Sequence, residues 1–310
     1  MIRNLVKNKS FMTGFCFIII LLVASIIWPI INDGKVKQIT AVYKDGEIIS
    51  VSPYPPSKEF FFGTDENGKD YFQMLVYGAK YTFAAVMGTA FLQMILAIFL
   101  GCLVGVLIPK WIDKIEPFFD SFNFLPIVVY AYFIFHTVLM PQDGFTSTLT
   151  QRIIFQISIL ALIGLPPLLF YIAKEVRKTF AKDYIKASRV LGAGRFYILI
   201  KHVVPNIWVN WLLLLLQQFT QILTVLMTLG VLYLYFGGSI AYFEAPLRSA
   251  TNEWSSFLGG VFRWIHSHPW MVLSPIIFIS CTVMSFKCMA LGIESILKRN
   301  NKILESKSDW

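Results

Sequence analysis

KEVRKTFAKDYIKASRVLGAGRFYILIKHVVPN, residues Lys174 to Asn206, is the longest strongly basic stretch in a chain made mostly of apolar runs. Lys174, Arg177, Lys178, Lys182, Lys186, Arg189, Arg195 and Lys201 are opposed there only by Glu175 and Asp183. Runs long enough to cross a bilayer flank it on both sides. It therefore reads as a loop between membrane spans, and its cations place it on the cytoplasmic side. Asp183 is positioned to cap a short helix. Tyr184, Ala187 or Ser188, and Leu191 then share one face, at helical spacing. Gly192 and Gly194 stop that helix. Arg195 to Val204 resumes a helical pattern, and Pro205 marks the approach to the next span. A helix of about nine residues is too short to hold in water alone. The stretch is either a solvated loop that obeys the charge rule or a docking helix that orders against a cytosolic partner.

Composition sets the class. The chain has 310 residues, 56% of them hydrophobic, and a mean hydropathy of +0.64. That is a membrane composition. The net charge of +9 follows the loops rather than a nucleic-acid-binding face. Cys16, Cys102, Cys281 and Cys288 all fall in predicted spans. Cys281 and Cys288 lie about 10.5 Å apart along one helix, too far for a disulfide. No CxxC or Cys/His ligand spacing occurs, so no metal or cofactor is expected. His266 and His268, with Glu253, read as loop residues rather than ligands.

Six spans are expected, with both termini cytoplasmic. The first covers about 11–31 and is too long for a signal core. A loop of extracytoplasmic residues follows, with turns at Asp33-Gly34 and Asp45-Gly46 and a hairpin pairing Val36–Tyr43 with Glu47–Val51. Span two lies within 71–108, where Ala97, Gly101 and Gly105 form a row of small residues suited to close packing. A short turn at 109–117 leads to span three, about 118–140. Span four, about 152–173, must kink at Gly164, Pro166 and Pro167. Span five, about 207–236, carries Gln217, Thr220, Gln221, Thr224 and Thr228 on one face. Five polar residues in one stripe do not face lipid. They are either hydrogen-bonding glue between helices or the wall of a wet translocation path. Span six, about 270–293, carries Lys287 towards its cytoplasmic end, and a short basic tail follows.

One spacing is specific. Lys186-Ala187-Ser188, three residues, Gly192, nine residues, then His202-x-Val204-Pro205 resembles the coupling motif of ABC-importer permeases. That motif reads Glu-Ala-Ala, three residues, Gly, nine residues, Ile-x-Leu-Pro. Lys186 stands where many relatives carry an acid, and Ser188 replaces the second alanine. Pro55-Pro56-Ser57 and Gly63-Thr64-Asp65-Glu66-Asn67-Gly68-Lys69-Asp70 resemble the segment before span two in the oligopeptide/dipeptide/nickel branch. Glu253-Trp254 and Pro269-Trp270 resemble its segment between spans five and six.

The resemblance implies an all-α, polytopic type I importer permease. Residues 1–75 would form the first span and outer loop, 76–295 the permease domain with its coupling loop at 174–206, and 296–310 a cytoplasmic tail. It implies a bacterial cytoplasmic membrane, a second permease subunit, two cytosolic ATPase subunits and an extracytoplasmic solute-binding protein. Asp183, Tyr184, Ala187, Ser188, Leu191, Gly192, His202 and Pro205 would serve ATPase coupling. The cargo would be peptides, with nickel or metallophore chelates and glutathione as alternatives within the branch. No GxxxxGK[ST], HExxH or Ser/His/Asp context is present, so hydrolysis is expected on other subunits. A self-contained transporter or channel is disfavoured, because the spans hold little charge and no inverted repeat is evident.

Overall fold

The computed structural model describes residues 2–44, 47–141, 144–242, 245–259 and 264–308. Asn8 separates a short helix, α1 (Ile2–Lys7), from the first long one, α2 (Lys9–Ile31). Its side-chain oxygen accepts from the Phe11 N–H, and its amide donates to Ser295 Oγ at 2.8 Å, pinning this start to the last helix. After α2 the chain turns at Asp33 and Gly34, both at positive φ, as expected. The hairpin forms as β1 (Ala41–Lys44), starting five residues later than the expected Val36–Tyr43, against β2 (Glu47–Val51), antiparallel, with Ala41 opposite Val51. The expected Asp45-Gly46 turn lies outside the described residues.

The Gly-Thr-Asp segment then closes one end of the bundle. Asp65 accepts from the N–H groups of Asn67 and Lys69, at 2.9 and 2.7 Å. Asp70 accepts from those of Phe72 and Gln73, capping α3 (Tyr71–Leu107). Gly63 sits at φ +72, and a Cβ there would lie 2.8 Å from the Trp270 ring. Glycine is thus required twice over, for conformation and for space.

From α3 the chain enters α4 (Ile112–Asp120), a 3₁₀ turn at Ser121–Phe124, and α5 (Ile127–Leu139). Residues 109–117 are therefore not the plain turn expected. Most of them form a helix, and the crossing bends by 70° before α5. Leu125 precedes Pro126 and is forced extended, at ψ 135, which breaks the helix there. The next crossing is α6 (Leu149–Ile163) and α7 (Leu165–Phe180), bent by 49° at Gly164. Pro166 and Pro167 fall in the first turn of α7, where no donor is needed. They start a new helix rather than distort a continuous one.

The basic loop folds as α8 (Asp183–Val190) and α9 (Arg195–Ile198). A π-helical turn at Leu199–Val203 leads into α10 (Val204–Val231). The wider turn precedes Pro205, whose ring cannot sit against the carbonyl one α-turn back. α10 stops at Val231, short of the expected 236, because the chain turns at Tyr233, Gly237 and Gly238, all at positive φ. A second hairpin, β3 (Ser239–Tyr242) with β4 (Ala245–Ser249), was not foreseen. A 3₁₀ turn at Trp254–Phe257 precedes α11 (Pro269–Ser308), which continues helical through the expected tail. Among the described residues four helices are long and apolar enough to cross a membrane, or up to six if each bent pair is one span.

Both hairpins lie at one end of the bundle, opposite the basic loop. That hairpin end is locked by buried polar groups. Glu253, 1% exposed, accepts from Phe236 N–H and from both N–H and Oγ of Ser255. Burial pushes its carboxyl above the usual range, against the pull of those donors. The Trp254 indole donates to Leu75 O at 2.8 Å, and Arg152 Nε donates to Gly237 O. His268 lies between the rings of Trp264 and Trp270. Towards the basic end, in the last turns of α3, the small row works within this chain. A Cβ on Gly101 would meet Leu169 O at 2.8 Å, and one on Gly105 would meet Ala173 O at 2.9 Å. Backbone on α7 leaves nowhere for it to go. Gly105→Val is therefore expected to destabilise the bundle by about 2 kcal/mol, seen as a lower thermal midpoint in detergent. An unchanged midpoint would show that α3 and α7 are not held this closely.

Candidate functional site

α8 is anchored by one residue. Ile185 is fully buried, in a cluster with Phe180, Val176, Ile198 and Val203. Tyr184, Ala187 and Leu191, the face read from the sequence, point away from that cluster and are exposed. Val190 and Leu191 are 87% and 89% exposed at the helix tip. Asp183 does not cap the helix as expected. Lys182 is the N-cap, without a side-chain bond, and Asp183 instead pairs with Lys186 at 2.7 Å. That contact holds the Asp183 carboxyl below the usual range.

The C-terminal stop is well made. Gly192, at φ +86, donates to Arg189 O at 2.9 Å, and Ala193 N–H reaches back to Ser188 O at 3.1 Å. This pair of bonds is a Schellman motif, with glycine at the left-handed position. A Cβ at Gly192 would meet nothing, so the requirement is conformational rather than spatial. Ser188 Oγ donates to Tyr184 O within the helix, and the Tyr184 hydroxyl accepts from Asn206 at 3.4 Å. His202 is half-buried with its ring 6.1 Å from that of Tyr197. Pro205 is exposed in the first turn of α10.

What holds this platform was missed. Arg177 donates to both carboxylate oxygens of Asp113, at 2.8 and 2.9 Å, and to Pro109 O. Lys174 pairs with Glu116. On the other side Glu175 accepts from Asn210 and from the Trp211 indole, the latter at 3.0 Å. One turn of α7 thus grips α4 and α10 together and carries α8 beyond it. A signal existed: Lys174 and Arg177 are three apart, as are Asp113 and Glu116, so two helical faces of opposite charge match.

The second candidate region is the stripe on α10. Gln217, Gln221, Thr224 and Thr228 are exposed along the helix, and Thr220 is half-buried. The three threonine hydroxyls donate to carbonyls one turn back, on Leu216, Thr220 and Thr224. Gln217, Thr220, Gln221 and Thr224 line a cavity of about 710 Å³ with Gln93, Asn123 and Tyr171. Thr228 lies outside it. Gln93, 3% exposed, has no partner for its Oε1, and its amide nitrogen fills the space where a Gly164 Cβ would be.

Residues 94–295 match the family model described as binding-protein-dependent transport system inner membrane component. The peptide transport system permease protein SapC of Haemophilus influenzae is 23% identical, over 78% of this chain and 75% of its own. The dipeptide transport system permease protein DppC of Bacillus subtilis is 24% identical, over 95% and 83%. The oligopeptide transport system permease protein OppC of the same organism is 24% identical, over 94% and 86%.

The grip of α7 makes a prediction of its own. Glu175→Leu would leave the buried Trp211 indole donor without an acceptor, at a cost of about 1–3 kcal/mol, while the exposed Asn210 amide turns to water. Glu175→Gln, which keeps one acceptor, should cost less. Equal thermal midpoints for the two variants in detergent would mean that Glu175 does not bind α7 to α10.

Proposed function

This chain belongs to the family of binding-protein-dependent transport system inner membrane components, and from that premise we propose that it is the membrane-spanning half of an ATP-driven peptide importer. It is a multi-pass membrane protein of transport. The observation that carries the mechanism is α8. A short, exposed helix with two bare apolar residues at its tip stands beyond the bilayer end, on a platform fixed to three spans. Exposed leucine and valine side chains at that density mark a surface that another protein covers.

The partners follow from this reading. Cytosolic ATPase subunits grip α8 through Tyr184, Ala187, Ser188 and Leu191. Gly192 ends the helix where the groove ends, and His202 and Pro205 stand at the base of α10. Closure of the ATPase pair moves α8, and the Lys174–Arg177 turn passes that displacement to α4 and α10. The two states differ in which end of the path is open, and ATP biases the balance between them. A second permease subunit faces the α10 stripe, and Gln217, Thr220, Gln221, Thr224 and Thr228 wet the path between them. The hairpin end receives a solute-binding protein. Both chain termini then lie in the cytoplasm. The peptide cargo comes from the relatives, which are named for peptide, dipeptide and oligopeptide transport.

Ala187→Trp places an indole on the docking face, and reconstituted transporter should then hydrolyse ATP without driving uptake. Tight coupling in that variant would remove α8 from the ATPase interface. Gln217→Leu and Gln221→Leu should each slow peptide uptake several-fold while the complex assembles intact. Native uptake rates in both would take the stripe out of the path.

A further inference from the structure

Lys287 has a place in the fold that its sequence position did not suggest. It lies about 25 Å below Trp270 along α11, inside a hydrocarbon layer of about 30 Å. The sequence alone lets it snorkel to the nearer head groups. The helix direction opposes that. Each Cα–Cβ bond of a helix tilts towards its N-terminus, and the N-terminus of α11 is at the hairpin end. Lys287 therefore leaves the backbone towards the bilayer interior. There it shares a cleft of about 260 Å³ with Gln217, Thr220 and Gln221 of α10.

The groups in this cleft are unspent. Among the described residues Lys287 makes no ion pair or hydrogen bond, and neither do the amides of Gln217 and Gln221. Thr220, by contrast, is satisfied by its own helix. The nearest acid on α11 is Glu294, about 10 Å further along the axis. A membrane-embedded cation with no acid beside it is costly and calls for an anion. Three ammonium donors next to two carboxamides suit a carboxylate, whose oxygens accept several hydrogen bonds at once.

We propose that Lys287, with Gln217 and Gln221, binds the terminal carboxylate of the solute as it passes along α10. The site rests on the reading of the chain as a peptide permease and adds to it a requirement on the cargo: a free carboxyl end. The neutral partners keep binding weak enough for release, since only one full charge is engaged. It also explains why the polar stripe is flanked by a lysine rather than by further threonines.

The test uses the complete transporter in vesicles, with its binding protein saturated by either trialanine or trialanine amide, so that selection by the binding protein is held constant. The native complex should carry trialanine about tenfold faster than the amide. Lys287→Met should bring the two rates within about twofold, and Lys287→Arg should restore the preference. A Met variant that kept the native preference would overturn the site, as would a native complex that carried both peptides alike. Equal slowing of both peptides by Lys287→Met, relieved by added anionic lipid, would assign the lysine to a lipid phosphate and also overturn it. A native complex that moved neither peptide while other solutes passed would instead defeat the peptide reading, and this site with it.

Discussion

A bilayer offers no water to a polar group, and that constraint orders the whole molecule. Backbone groups are satisfied inside helices. Polar side chains at depth must find partners or line a wet space. The threonines of α10 meet the demand through their own helix, whereas Gln217 and Gln221 do not. On α3 the Thr89 hydroxyl and Gln93 Oε1 are buried without a hydrogen-bond partner, and Gln93 stands against the break at Gly164. Such groups are costly wherever water cannot reach them.

The two ends of the bundle solve different problems. The hairpin end is sealed by a web of backbone acceptors and buried side chains, in which Glu253, Trp254 and Arg152 tie loops distant in sequence. The basic end is tied by side chains. Asp113, Glu116, Asn210 and Trp211 all converge on one turn of α7, so α4, α7 and α10 are held together where α8 begins. Exposed ion pairs contribute little to stability on their own. The bidentate geometry of Arg177 on Asp113 matters more for fixing orientation than for holding the fold together.

Much of this was legible from residue order. The spans stand out because about 20 apolar residues in a row admit few other structures. The break at Gly164 follows from Gly-x-Pro-Pro, and the stop of α8 from a glycine with its left-handed freedom. The bend near Pro126 and the second hairpin go beyond that reading. The first has a local cause, the residue before a proline being pushed out of the helical region, but it acts inside an apolar run that reads as one continuous span. The second pairs Ser239 with Ser249 in a segment with little apolar alternation to announce it. The capping role expected for Asp183 failed because Lys186, one turn on, offers a charge that the backbone donors do not.

Sequence by itself determined that this chain crosses a membrane repeatedly, that its cations gather in one loop, and that one helical face of α10 is polar. These are local properties, fixed by composition and period. Only the tertiary structure decided what those groups meet. It turned the cations of α7 from loop charges into a clamp, left Val190 and Leu191 bare, and set Lys287 beside Gln217 and Gln221. The physical reason is that pairing and burial depend on the direction a side chain leaves its helix and on which neighbour stands opposite. Neither is written in the spacing of one segment.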